Sequence, residues 1–243
     1  MDIYFILAKI ALISAITVLL FKKKENIKVE YFPQQTWSTR EVLPVYWIFL
    51  FISLISVILY KTNPSVRLYI FASYISTFLA GSVLLFAVKL IMGKRRILSL
   101  KVIGAKSSDI YWLLILIAIQ YSVLSVILYS RNSAADDSRI LWMFGHFSIT
   151  LIFWPIIESV LYLGMMFIPT IRILGLVKSV VLVSLLQALL HFNYNAMDVI
   201  MNFILFGLLG CYLYIKSKRI IVPLLLHSVI NFLVLLHDID FFN

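Results

Sequence analysis

The chain is poor in charge, in acid above all, and nearly without cysteine. Charged residues fill 13% of its 243 positions, Asp and Glu together number 11, and Cys211 is its one cysteine. So little charge beside 63% hydrophobic residues excludes an ordinary water-soluble fold, since one core cannot enclose that much apolar surface. A single cysteine excludes an intramolecular disulfide and a multi-cysteine metal site. HEXXH is absent, and no Gly-x-Ser-x-Gly surrounds any serine, so the local signatures of a zinc-binding helix and of a nucleophile elbow are both missing. Neither a fixed-period repeat nor the inverted repeat of a secondary transporter is visible.

What the chain has instead is long apolar runs. About 20 apolar residues in a helix cross the roughly 30 Å of hydrocarbon in a bilayer. Eight candidate spans follow, near 3–21, 44–60, 66–92, 110–129, 140–168, 177–191, 198–215 and 220–236. The expected fold is an all-α, polytopic transmembrane helix bundle. Its net charge of +10 does not point to nucleic acid, because the basic residues stand in short clusters between the spans and form no continuous face.

With the first span running inward, fifteen basic residues fall on inner loops and four, Lys61, Arg67, Arg131 and Arg139, on outer ones. That asymmetry places both termini on the non-cytoplasmic side. Lys9 and Lys89 lie inside spans near their ends, where a long side chain can snorkel to the interface. The first span reads as an anchor and not as a cleaved signal, since its positive cluster follows the apolar stretch. Abundant Lys, Ile and Leu suggest a bacterial plasma membrane.

The loop from Arg131 to Arg139 divides the chain into four leading spans, 1–139, and four trailing ones, 140–243. Polar residues within the leading spans are mostly Ser, Thr and Tyr, the usual means of helix packing. Chemistry is expected in the trailing half. There Glu158 is the one carboxylate well inside a span, where a charge costs on the order of 3 kcal/mol on the insertion scale.

Counting from the cytoplasmic span ends at 1.5 Å per residue, Glu158 lies about 15 Å deep, His191 about 20 Å, His227 about 12 Å and Asn231 about 18 Å. Three helices thus deliver a carboxylate, two imidazoles and a carboxamide to one layer, with His227 and Asn231 on a shared helix face. Each could serve as interhelical glue, but together they favour a polar site. His146 is expected near the outer surface, His237 in the polar tail, Asn195 as a helix cap, and Gly207 with Cys211 as a small-xxx-small contact.

A glutamate and an imidazole in contact can share a proton and prepare water as a nucleophile. Donors from His227 and Asn231 can meet the oxyanion of a carbonyl under attack. No cofactor is expected on this route. A divalent metal such as zinc, held by Glu158, His191 and His227, is the competing arrangement.

From Phe153 to Leu236 the signals PIIESVLYLG, LLQALLHFN and FGLLGCYLYIKSKRIIVPLLLHSVINF resemble the CPBP intramembrane proteases, which include CAAX prenyl proteases and bacteriocin-processing or immunity proteins. The family pattern is Glu-Glu-x-x-x-Arg, Phe-x-x-x-His and His-x-x-x-Asn/Asp. Its first glutamate falls on Glu158, its histidines on His191 and His227, and its last position on Asn231. The resemblance implies that Glu158 and His191 activate water while His227 and Asn231 stabilise the oxyanion. Ser159 stands where the second glutamate is expected, Leu163 at the arginine and Gln187 at the phenylalanine.

Two readings follow. One is an intramembrane endopeptidase acting on a small membrane-associated, prenylated or leader-bearing peptide. The other is a catalytically inactive protein of the same fold, an immunity or scaffold protein binding a peptide or a membrane sensor. Lipid and a peptide or protein substrate are the expected partners in the first case.

Overall fold

A computed structural model describes residues 3–22, 37–62, 75, 77–83, 86, 106–131, 147–191 and 195–241. Most of the expected third span, the basic loop after it, the 131–139 loop, His146 and Asn193 lie outside the described residues. Among the described residues every regular element is a helix. They are α1 (Ile3–Lys22), α2 (Thr39–Thr62), α3 (Asp109–Arg131), α4 (Ile149–Leu174), α5 (Leu176–Leu190), α6 (Ala196–Ser217) and α7 (Ile221–Phe241), with further helical residues at 77–83.

By length and composition α4 and α6 each suffice to cross a membrane. Large apolar side chains face outward along α1, α2 and α3, among them Leu7, Phe51, Trp112 and Leu114, as a lipid-solvated surface requires. Polar groups lie within, including Lys9, Gln120, Glu158, Gln187, His227 and Ser228. One apolar cluster runs through both halves of the chain, from Ile6 on α1 through Tyr46 and Phe49 on α2 to Leu161, Leu186 and Tyr214. Edge-to-face ring pairs tie α2 to α4: Tyr46 with Tyr162 at 6.0 Å and Phe49 with Trp154 at 5.7 Å.

The expected inner loop between the fifth and sixth spans is a single residue. Helix α4 continues to Leu174, and Gly175 turns the chain at φ 78°, a conformation open to glycine without a Cβ clash. Arg172, assigned by sequence to that loop, lies on the last turn of α4 and donates to the Trp37 carbonyl at 2.9 Å. Between α5 and α6 the backbones nearly touch, for a Cβ built on Gly207 would stand 2.4 Å from the Ser184 Cβ. Cys211 lies one turn on, its Sγ 3.8 Å from the Ser184 Oγ, so the small-xxx-small pair does mark a close approach.

Helix α4 is not uniform, and its irregular turns lie just before its prolines. Two wide turns with i to i+5 bonding, at Ile149–Phe153 and Ser159–Met166, precede Pro155 and Pro169. A proline has no N–H, and its ring crowds the carbonyl four residues earlier, so widening the preceding turn relieves the clash. The carbonyls left without a helical partner then need other donors, because an unsatisfied backbone group in hydrocarbon costs several kcal/mol.

Each wide turn finds them on neighbouring segments. The Trp154 N–H reaches back to the Ile149 carbonyl, so in the same register Thr150 would look to the missing N–H of Pro155. Asn231 Nδ2 on α7 donates to the Thr150 carbonyl at 2.9 Å, and Ser228 Oγ to the Leu151 carbonyl at 2.7 Å. At the second proline, the indole Nε1 of Trp37 donates to the Met165 carbonyl at 2.9 Å. Donors from other segments therefore brace α4 on both sides of Glu158.

Candidate active site

Glu158 closes the short regular segment Trp154–Glu158 between the two wide turns and is almost wholly buried, at 1% exposure. Gln187 and His191 approach it from α5, one turn apart on the same face. Gln187 Nε2 donates to Glu158 Oε2 at 3.3 Å, and His191 Nε2 stands 3.5 Å from Oε1. From α7, His227 Nε2 lies 3.9 Å from Oε2, just beyond direct hydrogen-bond range. The two carboxylate oxygens thus face different partners, Oε1 towards one imidazole and Oε2 towards an amide and the other imidazole.

The two histidines differ in access. The His227 side chain is 8% exposed and the ring of Phe206 lies against it, with centroids 4.2 Å apart. The His191 side chain is 21% exposed and sits at the C-terminal cap of α5, where the helix gives way to a more open backbone at ψ 82°. His191 is therefore the more exposed of the two imidazoles, although its Nε2, the atom facing Glu158, is buried.

Asn231, one turn beyond His227, is half-buried, and one of its N–H groups is taken by the Thr150 carbonyl. An amide carries two N–H donors, so the second is not consumed by that bond. Ser228, its neighbour, is fully buried and connects α7 to Gln120 on α3 as well as to Leu151. Glu158, His191 and His227 therefore converge directly, while Asn231 is tied to the Thr150 carbonyl of α4.

Two contributors escape the sequence pattern. Gln187 enters the sequence comparison only as a departure from phenylalanine, yet it is a direct partner of the carboxylate; its spacing of four from His191 was the available signal. Lys9, expected to snorkel, is 2% exposed and donates through Nζ to the His191 carbonyl at 2.8 Å. Ser159 and Leu163 are both buried beside the glutamate. Asn195 caps α6 in a reciprocal box with Asp198, at 2.9 and 3.1 Å.

A buried carboxylate with an imidazole on each side can hold a water, remove its proton and return that proton to a leaving group. The same three donors are of the kind that bind zinc. Among the described residues, however, no group of three or more His, Cys, Asp and Glu has an arrangement suited to a metal ion.

Comparison with known proteins finds a family to which the stretch carrying these residues is similar. The family described as "Type II CAAX prenyl endopeptidase Rce1-like" matches residues 140–233, the stretch that carries Glu158, Gln187, His191, His227 and Asn231. Neither the search of curated proteins nor that of solved structures returned a match. The buried polar cluster, its apolar surroundings and this match agree with an integral membrane protein of CAAX-protease type. Residues 140–233 are thus similar to type II CAAX prenyl endopeptidases of the Rce1-like family, in agreement with the resemblance of the same stretch to the CPBP intramembrane proteases.

Proposed function

We propose that the protein is an intramembrane endopeptidase that hydrolyses a peptide bond in a small membrane-associated substrate, prenylated or leader-bearing, by metal-free activation of water. The observation that carries this reading is the convergence of Gln187, His191 and His227 on a single buried carboxylate. A buried charge with fewer partners would be costly at this depth.

In the proposed reaction a water bound between Glu158 and His191 gives its proton to this pair as its oxygen attacks the scissile carbonyl. The N–H of His227 and the second N–H of Asn231 stabilise the resulting oxyanion. Collapse of the tetrahedral species breaks the C–N bond, and the proton held by Glu158 and His191 passes to the departing amine. Water enters from the side of His191, the more exposed of the two imidazoles. Gln187 keeps Oε2 oriented, so Oε1 is the oxygen left for His191 and water.

The proposal extends to topology: about eight spans with both termini on the non-cytoplasmic side of a bacterial plasma membrane, supported by the distribution of basic residues. The departures at Ser159 and Leu163 remove one acid and one base from the family pattern. Gln187, in contrast, adds a contact to Glu158 that a phenylalanine cannot make.

The test is cleavage of prenylated and unprenylated peptides by the purified chain in detergent, with and without chelator, beside Glu158→Gln. Cleavage that resists chelation and is abolished in the variant is the expected result. Cleavage lost on chelation would replace the metal-free route, and an unchanged rate in Glu158→Gln would remove the assignment.

A further inference from the structure

His191 is the more exposed of the two imidazoles that face the carboxylate, yet it sits where a helix is least able to hold it. It follows the last residue of α5, so its own carbonyl and that of Leu190 are among those for which a helix end offers no intrahelical donor. The end of the helix also carries partial negative charge. In an apolar surrounding these carbonyls need donors, and the donors present come from outside residues 140–233.

Side chains of α1 and α2 supply two of them, and a third reaches a carbonyl one turn earlier. Tyr46 donates to the Leu186 carbonyl at 3.4 Å, Ser53 to the Leu190 carbonyl at 3.2 Å, and Lys9 to the His191 carbonyl at 2.8 Å. The last is the shortest of the three and the one with a charge. The Lys9 ammonium also lies 4.6 Å from the centroid of the Phe5 ring and within electrostatic reach of Asp198 at the start of α6. Lys9 thus joins α1, the end of α5 and the beginning of α6 at the residue that carries the more exposed imidazole. A lysine buried to this degree in an apolar helix needs a reason. Snorkelling does not supply one, because the ammonium ends inside the protein.

We infer that Lys9 is a positioning residue for the proposed hydrolysis: by capping α5 at the His191 carbonyl it fixes the backbone from which the imidazole reaches Glu158. The inference rests on the catalytic reading of Glu158 and His191. It adds that the active geometry is completed by a helix outside the family-matched segment. Lys9 touches neither water nor substrate; it acts through His191.

The experiment compares full-length wild type, Lys9→Met and Lys9→Arg in detergent by two readouts. The first is kcat and KM on a prenylated peptide. The second is the rate at which diethyl pyrocarbonate modifies His191 and His227, followed by mass spectrometry, which needs no substrate. Lys9→Met should lower kcat roughly 10–100-fold, the range typical for groups that orient a site residue, with KM nearly unchanged. Lys9→Arg, which retains charge and donor, should recover most of that loss. His191 should react faster in Lys9→Met, while buried His227 keeps its rate.

Wild-type kcat together with wild-type His191 reactivity in Lys9→Met would overturn the inference. So would equal losses in the Met and Arg variants, since the capping interaction would then not be what matters. Should Lys9→Met fail to fold, Lys9→Gln, which keeps a donor without the charge, is expected to fall between wild type and complete loss of positioning on both readouts, and wild-type values would again refute the role. If wild type cleaves no peptide, the functional reading falls, whereas the His191 modification rates still decide whether Lys9 holds that residue in place.

Discussion

The two halves of the chain contribute different kinds of contact. In the trailing half, side chains meet side chains around Glu158, with Gln187, His191 and His227 all directed at its carboxylate. In the leading half, Lys9, Trp37, Tyr46 and Ser53 reach across to backbone carbonyls of α4 and α5. Reactive chemistry requires particular residues at particular spacings. A carbonyl accepts from an amine, an indole, a phenol or a hydroxyl alike. One half therefore has a motif, and the other, which supports it, has none.

The largest effect that can sharpen this contrast is at the carboxylate. Glu158→Gln preserves size and should lower the cleavage rate by on the order of 10²–10⁴-fold, as removal of a general base does, with insertion and thermal unfolding in detergent little altered. A comparable collapse of stability would mean that the glutamate is chiefly a packing group. Next is Gln187→Leu. Loss of a hydrogen bond to a charged group is worth about 1.5–3 kcal/mol, so kcat should fall roughly 10–100-fold while KM holds. Gln187→Phe, restoring the family residue, is expected to lose the same contact; equal activity would show that the amide is dispensable.

Substitutions of the supporting contacts should act on stability first. Gly207→Ala forces a methyl against Ser184, and overpacking of this kind costs about 1–3 kcal/mol, read as a lower midpoint of thermal unfolding. Trp37→Phe leaves the Met165 carbonyl without its donor and should lower stability by about 1–3 kcal/mol with kcat close to wild type. A large fall in kcat at unchanged stability would blur the division between the two halves. The smallest effect is expected at the Asp109–Arg219 ion pair linking α3 to the chain before α7. Arg219 is 30% and Asp109 8% exposed there, and Arg219→Gln, which keeps an amide donor for the buried carboxylate, should cost about 1 kcal/mol.

Much of this was legible in the sequence. Apolar run lengths marked the helices, and a depth count at fixed rise brought Glu158, His191 and His227 into one layer. Asn195 as a cap and Gly207 as a contact point followed from local chemistry. The turn at Gly175 was hidden because Arg172 and Lys178 looked like a basic loop, whereas Arg172 is drawn onto the Trp37 carbonyl. Asn231 could be placed by depth, but its bond to Thr150 depends on the register shift upstream of Pro155, which no residue spacing announces. Lys9 was hidden because its partner is a backbone carbonyl, which carries no residue signature.

The central claim is that Glu158 and His191 act on one water as a unit. A double-mutant cycle in single-turnover cleavage, with Glu158→Gln, His191→Ala and both together, tests it most directly. Residues that act as a unit are strongly non-additive, so the double variant should be no slower than the slower single variant. Losses that multiply, each substitution retaining its full effect in the presence of the other, would contradict a shared catalytic role.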